Sequence, residues 1–572
     1  MALLNRRADL LLAGGTVLNV YTGELLSQNV AVLGERISYV GNDTRGVTSE
    51  TRVLDVSGKW LVPGYVDPHF HPWFIYNPVS FGEAASARGI TTLFCDNLIF
   101  YMLMGVERFE AFMESLQGLP VTFYWWARAI PQTPMEEEGV LFSTRNIQRL
   151  LSHPNVQSVG EITRWQDLVR GNAKLQEIIQ YAKTLKKRVD GHTAGARWDH
   201  LVSLSGAGVE SCHESIRGDE VVERLRLGMY AMLRESSLRQ DLHELLEKVR
   251  REGLRTDRIM LTTDCSSPAF YAEHGINDRL IRIALEEGFD PVTAYRMCTI
   301  NPAVYFGMDH EIGGIAPGRQ ADMLVLRDLA DPLPETVLSR GRIVARNGVP
   351  DRPFPETRWE ACLPPPSFVT HPWHAEADLF RILSPSSRIT LPGIRLVSAV
   401  ITRKDLRSFP VEHGEVQLEE EDFSYVALLE RSGKWVTNGV LGGFGSGVEG
   451  LASSFNTAAQ ILTIGRNPEA MALAVNRVME MGGGIVLVER EKTLLELPLP
   501  LGGLMSDRPL EELAEWETSL LKHLQSRGYP FHDPLYTLVF LPNDFLPALR
   551  IHRGGVVDIR TGEVLWPRRD LP

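Results

Sequence analysis

Short apolar runs separated by Gly, Asn and Asp open the chain. LLLAGGTVLNV, QNVAVLGERISYVG and TRVLDVSGKWLVP are β-rich, but residues 1–62 are too few for a dependable core of their own. The same texture returns in ADMLVLRDL and TVLSRGRIVARNGV. Residues 1–62 and 311–350 are therefore expected to close one composite β-domain around a larger insertion. Within that insertion, residues 63–310, strand-like and helix-like text alternate. The strand candidates are ITTLFCD, PVTFYWWA, VQSVGEI, RVDGH, GVESCH and RIMLTTD. Helical text lies in LVRGNAKLQEIIQYAKTLKKR, DEVVERLRLGMYAMLRE and NDRLIRIALEEG. Repeated strand–helix units predict an α/β fold with a parallel sheet, open or closed. A length of about 250 residues is usual for the closed eight-stranded form.

Proline then punctuates residues 351–375, where Pro353, Pro355, Pro364, Pro365 and Pro366 predict a linker. A further α/β domain is expected over residues 376–572. It contains YVALLERSGKWVTNGVLGGFGSG, the helical NPEAMALAVNRVMEMGGG and the strand IVLVERE. GVLGGFGSG lacks the Lys and Ser/Thr ending of a phosphate loop, so a turn or tight packing is the more economical reading.

Composition narrows the classes. The 572-residue chain carries a formal charge of −13, which gives no reason to expect nucleic acid or an anionic membrane as partner. Five cysteines form no CxxC motif, which points to a reducing compartment and a cytoplasmic location. The first apolar run is short and continues into strand-like text, so it reads as structure rather than as a targeting segment. No apolar run is long enough to suggest a membrane span.

The chemistry concentrates at strand ends. In PGYVDPHFHP, His69 and His71 are two apart, so both imidazoles point to one face of a strand and can approach one metal ion. Alone, this motif is weak. But His192 ends RVDGH, His213 ends GVESCH, Asp264 ends RIMLTTD and Glu161 has a comparable place in VQSVGEI. In a barrel, the carboxyl ends of separate strands converge over one face, and four histidines and two acids would then surround one site. Blander alternatives stand beside this: a structural role for His192, and helix capping by Asp264 or Glu214. Glu214 follows His213, so on a strand it would point away; a loop placement would let it touch substrate or orient a ligand. Arg234 and Glu235 in MLRES read as a charge pair shaping a helix end.

The chain resembles the bacterial adenine deaminase family of the metal-dependent amidohydrolases. The resemblance runs through LLLAGGTVLNVYTGELL, LVPGYVDPHFH, VDGHTAG, GVESCHESIRGDEVVERLRLGMYAMLRE, GGIAPGRQADMLVL, MALAVNRVMEMGGGIVLVE and ELPLPLGGLMSD. It implies an amidohydrolase-type (β/α)8 barrel with a small composite β-domain and an additional C-terminal α/β domain. It also implies His69, His71, Glu161, His192, His213 and Asp264 as ligands of one or two divalent metal ions: manganese, iron or zinc. Asp264 would move protons, Glu161 would bridge two cations, and Glu214 is a further catalytic candidate. The implied reaction converts adenine and water to hypoxanthine and ammonia, with a small heterocyclic substrate as partner and a homo-oligomer left open. Another purine, heterocyclic amine or cyclic amide is the enzymatic alternative. A noncatalytic metal-stabilised interaction protein is the alternative from another class.

The sequence departs from the family near the expected pocket. Pro72, Trp73, Phe74 and Tyr76 replace an Ile-Glu-Ser-Ser stretch. Asp96 is kept in CDNLIF without the family's following His. The usual acid pair becomes Asp264–Cys265, and Phe455, Asn456 and Thr457 stand where a His-Asp motif is common. Wall packing by the aromatics and a buried structural thiol are the plain readings.

Overall fold

The computed structural model describes residues 7–571 apart from 45, 134, 136 and 419–421. Eight parallel strands follow one another in chain order around one sheet: β1 Tyr65–Phe70, β2 Ile90–Cys95, β3 Thr122–Ala127, β4 Val156–Ile162, β5 Arg188–Gly191, β6 Ser211–Cys212, β7 Tyr230–Arg234 and β8 Ile259–Thr262. A parallel bridge between Phe70 and Asp264 brings the last strand back to the first. The His71 amide donates to the Asp264 carbonyl at 2.8 Å at the same place. The result is a nearly closed barrel with flanking helices.

Strands such as Ile-Thr-Thr-Leu-Phe-Cys are buried along their whole length. Burial on both faces explains why they read as continuous apolar runs rather than alternating ones. Helices cross between them with local start signals. Asn77 caps Pro78–Ala87 through Val79 and Ser80, and Asn172 caps Ala173–Thr184 through Leu175.

One expected element is corrected. The helical reading of DEVVERLRLGMYAMLRE is right only for Gly218–Arg226. Gly228, at φ +76°, turns the chain, and Tyr230–Arg234 is the seventh strand. Only the left-handed turn at Gly228 separates the two in sequence. LVRGNAKLQEIIQYAKTLKKR likewise divides, into Trp165–Val169 and Ala173–Thr184.

The composite β-region is two sheets. One has four strands, all from residues 10–55. The other joins Thr16–Asn19, Glu24–Ser27 and Trp60–Pro63 to Met323–Leu326, Thr336–Ser339, Arg342–Arg346 and Val349–Pro350. Its seam is the antiparallel pairing of Trp60–Pro63 with Met323–Leu326. After two short helices, Trp359–Cys362 and Ser367–Thr370, a separate β/α region follows. Its large sheet runs from Arg388–Leu396 to Lys492–Pro498 and carries the helix Pro468–Glu480.

That region rests on the mouth of the barrel. Phe74, just past β1, packs its ring 4.9 Å from Phe455 and 5.4 Å from Tyr536. The Asn77 side chain donates to the Ser506 carbonyl at 2.8 Å, and Glu517 accepts from the Ala269 amide at 2.8 Å. Gly445 and Gly447 of the glycine-rich segment lie against the backbone of Arg527. That is the tight packing expected of them. Among the described residues, no helix is long and apolar enough to cross a membrane.

Candidate metal centre

His69 and His71 stand at the end of β1, the first wholly buried and the second slightly open to solvent. The Nδ1 of His69 lies 2.8 Å from Asp190 Oδ2, and the Nδ1 of His71 lies 2.9 Å from Asp96 Oδ2. A carboxylate only accepts, so both Nδ1 atoms carry a proton, and Nε2 is the atom each ring offers either to a second proton or to a metal ion. Both Nε2 atoms face oxygen atoms. Asp264 Oδ1 is 3.4 Å from His69 Nε2 and 3.3 Å from His71 Nε2. Glu161 Oε2 is 3.8 Å from His69 Nε2. His69 Nε2 is buried without a hydrogen-bond partner. Ring nitrogens and carboxylate oxygens that converge at this spacing need a cation among them, either a proton or a metal ion.

The other half of the cluster hangs on Glu161. Its Oε2 lies 2.9 Å from His192 Nδ1 and 2.9 Å from His213 Nε2. Ligand atoms gather into three overlapping groups: His69–His71–Asp264, His69–Glu161–His213 and His192–His213–Glu214. The arrangement suits one or two divalent ions held by nitrogen and carboxylate oxygen. Side-chain exposure then finds the open side. His69, Glu161 and His213 are at most 2% exposed, whereas His71, Asp264 and His192 are 14%, 13% and 17% exposed. Water or substrate reaches the cluster from the latter three.

Electrostatics agrees. Asp96, Glu161, Asp190 and Glu214 are buried carboxylates at the site, Asp264 is a partly buried fifth, and the guanidinium groups touching them are Arg128, Arg234 and Arg239. Burial works against the cation of His69, yet Asp190 and Asp264 overcome it and raise the imidazole to about 10. Burial likewise opposes the His71 cation, and Asp264 and Asp96 raise it to about 9. Burial opposes ionisation of Glu161 and Asp264, but Arg128 and Arg234 respectively hold them well below the ordinary carboxylate range. A cluster so rich in acceptors draws positive charge, whether proton or metal.

Asp264 is held tightly. Its backbone is left-handed at φ +58°, a conformation costing about 1 kcal/mol or more for a non-glycine residue. Its amide donates to Thr262 Oγ1 at 3.0 Å, and its Oδ2 lies 2.7 Å from Arg234 Nη1. It does not cap the next helix: Ser267 caps Pro268–His274. Glu214 sits past the end of β6, off the strand, and its Oε1 lies 2.7 Å from Arg234 Nη1. It does not cap Gly218–Arg226, whose cap position is Arg217. Arg234 is thus no helix-end residue; it ends β7 and bridges Glu214 to Asp264. Glu235 turns away and pairs with Arg279 at 2.7 Å. The Cys265 thiol is buried 3.4 Å from the Tyr76 hydroxyl, a packing role.

Three residues escaped the sequence reading. Arg128 lies just past β3, where the strand-end rule applied to every strand finds it, whereas Asp190 lies inside β5 and escapes that rule. Tyr536 comes from the C-terminal region and carries no local signal; its hydroxyl donates to the Cys265 carbonyl at 2.7 Å.

Residues 60–351 match the model of the amidohydrolase family, and residues 399–563 match that of the adenine deaminase C-terminal domain. A putative adenine deaminase of Halalkalibacterium halodurans is 39% identical over 567 residues, covering 98% of this chain and 95% of the relative. This chain belongs to the adenine deaminase family of amidohydrolases. A second relative, a putative adenine deaminase of Bacillus subtilis, is 38% identical over 563 residues, with 98% and 95% covered. The adenine deaminase of Moorella thermoacetica is 33% identical over 571 residues, with 96% and 94% covered. Family membership and the clustered histidines and acids together make the chain a metal-binding hydrolase of the amidohydrolase type.

Proposed function

We propose that this chain is a hydrolytic deaminase of a heteroaromatic amine, with adenine its first substrate and hypoxanthine and ammonia its products. The observation that carries the reading is the convergence of imidazole Nε2 atoms and carboxylate oxygens from separate strand ends on one buried point. The ligands assigned in this reading are His69, His71, Glu161, His192, His213 and Asp264. A divalent ion bound there supplies Lewis acidity and lowers the pKa of water from ~15.7 towards ~7.

The chain's own residues do the rest. Asp264 has Oδ2 occupied by Arg234 and Oδ1 beside His69 and His71 in the ligand cluster, so Oδ1 accepts the proton of the attacking water. Oxygen adds to the amine-bearing carbon and Asp264 passes the proton it accepted to a ring nitrogen; the remaining hydroxyl proton then goes to the exocyclic amine, the C–N bond breaks and ammonia leaves. Glu161 draws His192 and His213 together through one oxygen, Oε2. Glu214 lies between Arg234 and Arg239, which hold it ionised; it orients substrate or ligand rather than delivering a proton. The domain boundaries at residues 62, 310, 350 and 375, a cytoplasmic location and a homo-oligomer belong to the same reading.

Adenine is favoured by the full-length similarity to relatives named for it. Trp73, whose ring lies 6.1 Å from that of His71, supports another purine, heterocyclic amine or cyclic amide as the runner-up. The test is purification with quantified zinc, iron and manganese, followed by a screen of amines for ammonia release and product mass. Adenine turnover giving equimolar hypoxanthine is the expected result. No adenine turnover in any metal state rejects the substrate, and turnover of another amine keeps the reaction class.

A further inference from the structure

Arg128 lies just past the end of β3 with no part of its side chain exposed. Its guanidinium grips two carboxylates on the neighbouring strands. Nε lies 2.7 Å from Asp96 Oδ1 and Nη2 lies 3.0 Å from Asp96 Oδ2, a bidentate fork. The same Nη2 lies 2.6 Å from Glu161 Oε1, and Nη1 donates to the Glu161 carbonyl at 3.1 Å. Each carboxylate uses its remaining capacity on histidines. Asp96 Oδ2 accepts from His71 Nδ1 at 2.9 Å and from Trp73 Nε1 at 3.3 Å. Glu161 Oε2 meets His192 and His213. One side chain therefore reaches both halves of the cluster: the His71 half through Asp96, and the His192–His213 half through Glu161.

We propose that Arg128 is the positioning residue that sets the geometry of both halves of the metal cluster at once. This rests on the metal-centre reading above. Asp96 and Glu161 are like charges buried on either side of β3. Without a cation between them, each would turn towards whatever donor it could find and carry its histidines with it. The planar fork fixes both carboxylate planes, which a lysine ammonium cannot do. It also takes Glu161 Oε1, leaving Oε2 as the oxygen turned to His192 and His213. Groups that orient metal ligands commonly carry a 10–100-fold effect on affinity.

The test measures Mn(II) binding to full-length, chelator-stripped protein by equilibrium dialysis, beside the thermal midpoint of the metal-free state. Arg128→Gln should weaken Mn(II) binding roughly 10–100-fold at every site that wild type fills. Arg128→Lys should fall between, and Asp96→Asn should loosen only the site that includes His71. A folded Arg128→Gln protein with wild-type affinity overturns the proposal. So does a lowered thermal midpoint with unchanged affinity, which marks a purely structural arginine. If Arg128→Gln does not fold, the two other variants decide, and unchanged affinity in both overturns it. Wild-type protein that binds no manganese, zinc or iron sinks the metal-centre reading itself, an outcome distinct from a silent Arg128.

Discussion

The barrel and the C-terminal region meet at one site and bring it different things. From the strand ends come charge and lone pairs: His69, His71, Glu161, His192, His213 and Asp264. From the C-terminal region come rings: Phe455 against Phe74, Tyr536 over the loop after Asp264, and Phe545 with its ring centroid 6.4 Å from that of His192. The difference has a physical reason. Ligand atoms must hold sub-ångström positions, and a hydrogen-bonded barrel rim gives them that rigidity. A wall needs only shape and apolar area, which loops of a docked region can provide.

The largest effect should come from the barrel side. Asp264→Asn should cut turnover by roughly 10²–10⁴-fold while metal content stays near one wild-type complement. Near-normal turnover at equal metal content would remove Asp264 from proton transfer.

The C-terminal side should instead answer in stability. Phe455 is fully buried, and Phe455→Ala should cost about 3–5 kcal/mol in denaturant unfolding without changing Mn(II) affinity. A large loss of affinity would mean that the two regions are not separable in this way. Smaller still is Tyr536→Phe, which removes one hydrogen bond to the Cys265 carbonyl and costs about 1 kcal/mol. Turnover should drop several-fold because the strained backbone of Asp264 loses a neighbouring restraint; a fully active variant with intact stability speaks against that coupling.

The subtlest test reads the seam itself. Glu517, on the helix Leu510–Gln525, accepts from the Ala269 amide of the barrel. Burial, with the Asp533 charge beside it, pushes its carboxyl up to about 8. The folded state then keeps a proton that the unfolded chain releases at the ordinary carboxylic value. Stability should fall as pH rises from that value through about 8 and level off beyond it. Glu517→Gln should flatten this slope in thermal midpoints taken across that window; an unchanged slope places the titration elsewhere.

Much of the barrel was readable because parallel strands buried on both faces announce themselves as unbroken apolar runs closed by a polar residue. ITTLFCD and RIMLTTD come nearest to this, each closed by an aspartate, whereas VQSVGEI carries its acid one place before the strand end. The same rule, followed past TFYWWA to Arg128, reaches a residue that was passed over. MYAMLR was hidden by adjacency. It follows a helix after only a glycine turn, and its apolar spacing fits either element. Glu214 was ambiguous for a related reason: strand alternation points it away, and only the early end of β6 at Cys212 frees it to turn inward.

Local sequence determined the strand ends, the pair of histidines two apart, and the family to which the chain belongs. It did so because those features depend on side-chain alternation and apolar runs within a few residues. Closure of the barrel, the proton positions set by Asp96 and Asp190, and the bridges made by Arg128 and Arg234 were decided by tertiary structure. So was the seating of Tyr536 on the Cys265 carbonyl, next to Asp264. Each joins residues tens to hundreds of positions apart, and no short-range pattern carries the distance between two strand ends.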